Sequence, residues 1–378
     1  MSIDLELNEE QQRLQSAAND LFGRRSPSEV VRDLEDSDTG YSPDLWREMA
    51  GLGWLGITFP DALGGHGGSF LDLLPIYEEM GRFLVPSPHL ETVVIAGDVI
   101  GAVGSDEQRR TVLPAIADGT CIVSLAVLEP GGGFGPGGVS LAAVRSGTDH
   151  VLSGTKLLVP FAAQADRFVV AARTGRGLDA DGITLFLVDA TTAGISCDRL
   201  ANTAGGALYA VSFEDVVVPA RATLGPLGGG WAPLSAAMTK GAVLQTATIV
   251  GAARAVLEMT NQYAKDREQF GNPIGRYQAV QYMVSDVLID LHRADLLARQ
   301  AAFRIDTGRP YEREAAIAIA FGKRACAHLH RQAHEVHAGI GFMLEHDLTL
   351  YSRRGKYWEN NLGDARYWDD QVAEAILA

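Results

Sequence analysis

The stretch "CIVSLAVLEPGGGFGPGGVSLAAVRSGTDHVLSGTKLLVPF", Cys121 to Phe161, decides how the chain is read. Gly133, Gly135 and Gly138 give a G-x-G-x-x-G spacing directly after a strand-like run. A dinucleotide fingerprint must open a helix, so that the helix N-terminus meets the pyrophosphate. Here "VSLAAVRSG" follows, another strand-like run. The glycines therefore read as a flexible loop over a pocket, and a Rossmann site is rejected. The period of two runs on to about Leu224 through "RFVVAART", "ITLFLVDA" and "LYAVSFEDVVVP". Short strands parted by Gly, Asp and Thr predict an antiparallel barrel or sandwich rather than βαβ units.

Both flanks carry a helical period. "NEEQQRLQSAANDLF" opens behind Asn8 as N-cap, and "PDLWREMAGLGWLG" and "LDLLPIYEEMGRFL" place apolar residues three and four apart. "FPDALGGHGGS" is a glycine-rich turn between them. After Trp231 the helices are long; Val280, Met283, Val284, Val287 and Leu291 fall on one stripe. The fold class expected is α+β. A helical domain spans 1–118, a β-domain 119–226 and a helical bundle 227–378.

Composition narrows the function classes. With 378 residues the chain is long enough for two or three subdomains, and its net charge of -15 argues against nucleic acid and anionic membranes. A phosphorylated ligand in a local basic pocket stays open. No run approaches a membrane span, and "MSIDLELNEEQQRL" has no signal-peptide pattern. Cys121, Cys197 and Cys326 lack CxxC spacing and read as buried thiols of a reducing, cytoplasmic setting.

Two motifs invite chemistry. His330, His334 and His337 form an i, i+4, i+7 row, without an evident Cys or acid to complete a metal site; Glu335 is placed on another face. They read as core or interface histidines, and no metal is expected. In "DREQFGNPIGRYQ", Asp266 to Gln278, a helix is expected to stop at Gly271-Asn272-Pro273 and a new one to begin after Gly275. There Arg267 could pair with a phosphate and Phe270 could cover an aromatic ring.

This corner resembles the "RxxFGxxIxxxQ" segment of acyl-CoA dehydrogenases. Four further stretches match in order: "LWREMAGLGWLGITFPDALGGHGGSFLDL", "LAVLEPGGG" (the family's "TEPxAGS"), "LSGTKLLVPFAAQADRFVVAART" and "EVHAGIGFMLEHDLTLYSRRGKY". The resemblance implies the family's fold, with a C-terminal four-helix bundle. It also implies FAD, an acyl-CoA substrate and an oligomer, typically a dimer or tetramer. In the family a carboxylate removes the α-proton of the thioester and the β-hydride passes to flavin. The Arg of "RxxFG" reaches the pyrophosphate of a neighbouring subunit. Arg267, Phe270 and Gln278 keep that pattern, and Gly339 keeps one glycine of the family's "GG".

Departures gather at the cofactor and the base. The family's "W-I-T" reads Leu158, Val159, Pro160, and Pro160 offers neither a side-chain donor nor an N–H. Leu128 replaces the Thr of "TEP", Glu335 the adenine-side Gln, and Ala338 the first Gly of "GG". Aligning on Lys356 and Gly363 puts Leu362 at the usual base position. In another branch the base lies 26 residues before the Arg, and 267 minus 26 gives Gly241. No Asp or Glu lies between Asp215 and Glu258. Asp364 and Glu359 are the remaining candidates for a displaced base, with Asp364 also suited to N-cap the last helix.

Three functions follow. The chain is an active dehydrogenase with a displaced base, a base-less subunit like those of two-subunit actinobacterial acyl-CoA dehydrogenases, or a non-redox acyl-CoA or acyl-carrier binder. The second fits retained cross-subunit residues beside a degraded local pocket.

Overall fold

The structure, a computed structural model, describes residues 5–377. Its helices are α1 (Glu9–Arg25), α2 (Ser28–Asp36), α3 (Pro43–Gly51), α4 (Leu73–Arg82), α5 (Gly97–Val103) and α6 (Asp106–Ala117), with a π-helix at Leu90–Ala96. After the sheet come α7 (Trp231–Asp266), α8 (Gln278–Asp306), α9 (Glu312–His337), α10 (Asp347–Asn360) and α11 (Ala365–Leu377). The chain divides into two compact units, Met1–Arg32 with Ser69–Val85 and Ala242–Ala378, and Asp33–Gly68 with Pro86–Gly241. The N-terminal helical segment is thus shared between a unit with the bundle and a unit with the sheet.

In the sheet unit, β1 (Val123–Ala126), β2 (Ala142–Ser146), β3 (Asp149–Pro160), β4 (Arg167–Arg173), β5 (Ile183–Asp189), β6 (Ile195–Arg199), β7 (Leu208–Val218) and β8 (Thr223–Leu224) form one sheet. Its order is β6-β7-β3-β2-β4-β5-β8, with β1 beside β4. Most pairs are antiparallel, but β1 runs parallel to β4 with Val123 opposite Arg167, and β2 meets β4 in parallel at Ala142 and Arg173. Alternation of side chains carries no strand direction, so these two parallel contacts escape a periodicity reading. The inner residues of β4 and β5 are buried on both faces, hence the continuous apolar runs. The glycine loop makes a short 3-10 turn at Pro136–Gly138 and leads into β2, a strand.

The β3–β7 register slips between Lys156 and Val159. This bulge leaves Leu158 at φ 54° and about half exposed, with Phe161 at φ 50°. A bulge re-aims side chains locally, and here it sits on the segment that departs from the family.

In the bundle unit, Asn8 and Gln11 cap α1 reciprocally. Val250, Val256, Leu291, Cys326, Leu329, Leu348 and Trp358 make the core. Along the α8 stripe, Val287 and Leu291 are buried while Val280, Met283 and Val284 are half-buried. Glu78, almost fully buried, accepts from Arg254 at 2.9 Å and Arg299 at 3.0 Å, and Asp295 pairs with both arginines. Paired this way, the buried charges are held without an orphan.

Two expectations are corrected. The 36-residue α7 is long and apolar enough by composition to cross a membrane, though 67% of its most apolar window is buried inside the protein, as in a core helix. It also ends at Asp266, earlier than Gly271. Residues 268–273 instead form a hairpin, β9 (Glu268–Gln269) against β10 (Asn272–Pro273).

Candidate functional site

The hairpin tip holds Phe270 at φ 54° and Gly271 at φ 75°. Two successive positive φ values are what a two-residue primed turn requires. A phenylalanine in that conformation is strained, and its ring is 90% exposed. Tyr277 braces the corner, donating to the Gln269 carbonyl at 3.0 Å with its ring edge-on to Phe270. Arg267 and Gln278 are exposed. Among the described residues Arg267 has no ion pair, so its guanidinium is free to meet an anion.

On the same unit a concavity of about 730 Å³ lies between α9 and α10, lined by His330, His334, Glu335, Ala338, Lys356 and Glu359 among others. Gly339 also lines it. Glu335 therefore shares its cavity with two of the histidines rather than standing apart on another face. It is exposed and carries no ion pair among the described residues. Ala338 adopts φ 52° and ψ -137°, a region that suits glycine, so its side chain strains the turn.

The histidine row is not a unit. His334 Nε2 lies 2.6 Å from Ser352 Oγ and its ring stacks on Phe342 at 4.5 Å. His337 Nδ1 lies 2.9 Å from the Ala333 carbonyl and stacks on Tyr263. Burial lowers the pKa of all three, His330 to about 4. The acid and thiol that the sequence did not pair with this row are nonetheless present: Cys326, His330 and Glu359 converge.

The turn after α10 is built without a free carboxylate. Lys323, buried, donates to the carbonyls of Trp358 and Asn361, each at 2.7 Å, and so terminates the helix. Burial lowers this amine to about 7. Leu362 has φ 55°, and its carbonyl accepts from Trp368 Nε1 at 2.9 Å. Gly363 follows at φ 95°, where an added Cβ would lie 2.5 Å from the Tyr367 ring. Asp364 accepts from the Tyr367 amide at 2.8 Å as N-cap of α11. Glu359 is ion-paired to Lys356 at 2.6 Å. Gly241 is buried inside α7.

In the sheet unit, Lys156 is fully buried and donates to the Val127 carbonyl at 2.9 Å and to Glu129 at 2.6 Å. Glu129 also accepts from Ser140 and Leu141 amides at 2.9–3.0 Å. Burial lowers Lys156 to about 8. Burial pushes Glu129 the other way, but the Lys156 charge and these hydrogen bonds outweigh it and hold the carboxyl below its usual range. The pair pins both ends of the glycine loop. Its members lie in two of the matched stretches, "LEP" and "GTK", which is the signal that could have found them. At the end of β3, Val159 is fully buried and the Pro160 carbonyl is taken by Ser124 Oγ. The Leu128 carbonyl is taken by the Leu157 amide at 2.9 Å.

A helical unit carrying an anion-ready corner, and an eight-stranded sheet unit with an ion-pinned loop, make up the scaffold. Three family models cover nearly the whole chain: acyl-CoA dehydrogenase N-terminal domain at residues 8–120, middle domain at 124–216 and C-terminal domain at 228–376. The chain belongs to the acyl-CoA dehydrogenase family. It is 29% identical to the probable acyl-CoA dehydrogenase YngJ of Bacillus subtilis, covering 99% of this chain and 100% of that one. It is similar to a structure of the ChsE4-ChsE5 complex from Mycobacterium tuberculosis, at 27% identity and TM-score 0.89, covering 99% of each chain. It is also similar to the structure titled Tcur3481-Tcur3483 steroid ACAD G363A variant, at 31% identity and TM-score 0.86, covering 98% of this chain and 99% of that one.

The family is one of FAD flavoproteins. The residues present fit the group on one side only. The exposed Arg267, Phe270 and Gln278 suit a pyrophosphate and an aromatic ring. The 158–160 segment offers no side-chain donor, and a carboxyl, Glu335, stands where the sequence resemblance expects an amide, with no ion pair among the described residues.

Proposed function

We propose that this chain is the base-less subunit of a hetero-oligomeric, FAD-dependent acyl-CoA dehydrogenase whose partner chain supplies the carboxylate that removes the α-proton of an acyl-CoA thioester. One observation carries the reading: the sequence resemblance puts the two base positions at Leu362 and Gly241, neither of which is a carboxylate, and the neighbouring Asp364 is engaged as the N-cap of α11. A base must reach the proton it takes, and a carboxylate held as a helix cap is not free to do so.

FAD supplies the hydride acceptor when bound. This chain's contribution is positional. Arg267 would hold the pyrophosphate of a FAD shared with the partner, Phe270 would cover a ring, and Gln278 would supply a polar contact at the same corner. The strain and 90% exposure of Phe270 at the hairpin tip support a role at an interface. The similarity to chains from a ChsE4-ChsE5 complex supports a second acyl-CoA dehydrogenase chain as partner. A cytoplasmic location accompanies this reading.

Co-expression with a second acyl-CoA dehydrogenase chain tests it. The chain alone is expected to purify with little flavin, and the pair as a defined hetero-oligomer that retains it. Stoichiometric FAD on the chain expressed alone, with turnover of an acyl-CoA, would overturn the reading.

A further inference from the structure

Cys326 and His330 stand one turn apart on α9, and Glu359 reaches them from α10. One donor atom from each lies within 4.8 Å of the others. Cys326 Sγ is 3.7 Å from His330 Nδ1. A Cβ at residue 355 would lie 2.0 Å from the His330 ring, so Gly355 is what lets α10 approach the imidazole. His330 is 8% exposed, and its buried Nε2 has no hydrogen-bond partner among the described residues. A buried polar atom left unsatisfied is destabilising, so this nitrogen calls for an occupant.

We infer that Cys326, His330 and Glu359 form a binding site for Zn²⁺, with a fourth position open to the α9–α10 concavity. A thiolate, an imidazole and a carboxylate are the donor types that a borderline-soft, tetrahedral cation takes. Donor atoms around such an ion lie about 3.3–3.7 Å apart, given bonds of ~2.0–2.3 Å. The three groups therefore need to close by about 1 Å, mostly by rotation of Glu359. Lys356, whose side chain is 70% exposed, holds Glu359 in the absence of metal and can release it to solvent. Coordination is redox-neutral: the Cys326 thiol gives its proton to the buffer, the thiolate sulfur donates to the metal, and no electron changes hands. The bound ion staples α9 to α10 just before the turn at residues 361–364, and a water fills the open position.

The three ligands are other residues than those assigned to the flavin, although the open position faces the same concavity as Glu335 and Gly339, and the test does not depend on activity. The purified full chain, stripped with a chelator, is titrated with Co²⁺ as a spectroscopic probe and with Zn²⁺ in a thermal-shift series. The expected result is one equivalent of Co²⁺ with thiolate-to-cobalt charge-transfer absorption, lost on adding Zn²⁺. Zn²⁺ also raises the melting temperature. Cys326→Ser abolishes the charge-transfer absorption and the thermal shift. Glu359→Gln, at a partly exposed position where misfolding is not expected, weakens both. Absence of a stoichiometric charge-transfer signal in the parent chain overturns the site. So does metal uptake by Cys326→Ser and Glu359→Gln equal to that of the parent chain, which would place the binding elsewhere.

Discussion

Glu91 is the most exposed to test among the buried groups that the proposed chemistry does not use. It lies on the π-helix at Leu90–Ala96, is 7% exposed, and has no ion pair among the described residues. Burial raises its pKa from 4.5 to about 7. The folded state therefore keeps the proton to about pH 7, while the unfolded chain releases it near 4.5. The stabilisation is full below pH 4.5, declines as pH rises through the folded value, and is gone above about 7. The gap of 2.5 pH units, at ~1.4 kcal/mol each, makes the loss roughly 3 kcal/mol. Glu91→Gln keeps the shape but removes the titration. Urea denaturation of both proteins from pH 4.5 to 8.5 should show a difference that grows in favour of Glu91→Gln up to about pH 7 and then levels. Parallel profiles for the two proteins would refute the argument, because the carboxyl would then titrate alike in both states.

The Lys156–Glu129 pair gives a second test: Lys156→Met should cost about 3–5 kcal/mol, since it strands a buried carboxylate, and adding Glu129→Gln should recover part of that loss in a double-mutant cycle. Gly363→Ala should destabilise by more than about 1 kcal/mol in thermal unfolding, because an L-residue at φ 95° is strained and its Cβ meets Tyr367. On the proposed reading, Leu362→Glu and Gly241→Glu should each fail to give acyl-CoA turnover in the chain alone, as the residues that the resemblance places against the flavin at 158–160 and 335 also depart from the family's; steady-state assays with an artificial electron acceptor read this out. Arg267→Ala should leave the melting temperature of the isolated chain within about 1 °C, as an exposed unpaired side chain contributes little, while lowering flavin retention in the co-expressed pair.

Local patterns carried most of the fold into view. The switch from three- and four-residue steps to alternation located the sheet, and the strand after the glycine loop is visible in "VSLAAVRSG". Asn8 was legible as a cap because capping is decided within four residues. What escaped is non-local. The parallel pairing of β1 with β4 joins residues some forty apart and leaves no mark on alternation. The early stop of α7 at Asp266 was hidden because "REQFGNPIG" forms a hairpin whose positive φ at Phe270 no residue preference announces. The ion pair of Glu129 and Lys156, and the meeting of Cys326 and His330 with Glu359, depend on which elements pack together. The bulge at Leu158 likewise needs the β7 partner to be seen. Departures at Leu158, Pro160, Glu335 and Ala338 were readable as substitutions, but the strain at Ala338 and the buried Val159 are three-dimensional facts.

The account's central claim is that the proton-abstracting carboxylate lies outside this chain. An anaerobic titration with a panel of acyl-CoAs, following flavin absorbance, tests it most directly, first on the chain reconstituted alone with FAD and then on the co-expressed pair. The account predicts no bleaching by the isolated chain and bleaching by the pair, unaffected by Asp364→Asn or Glu359→Gln in this chain. Bleaching of the isolated chain that disappears in either variant would contradict it and place the base at that residue.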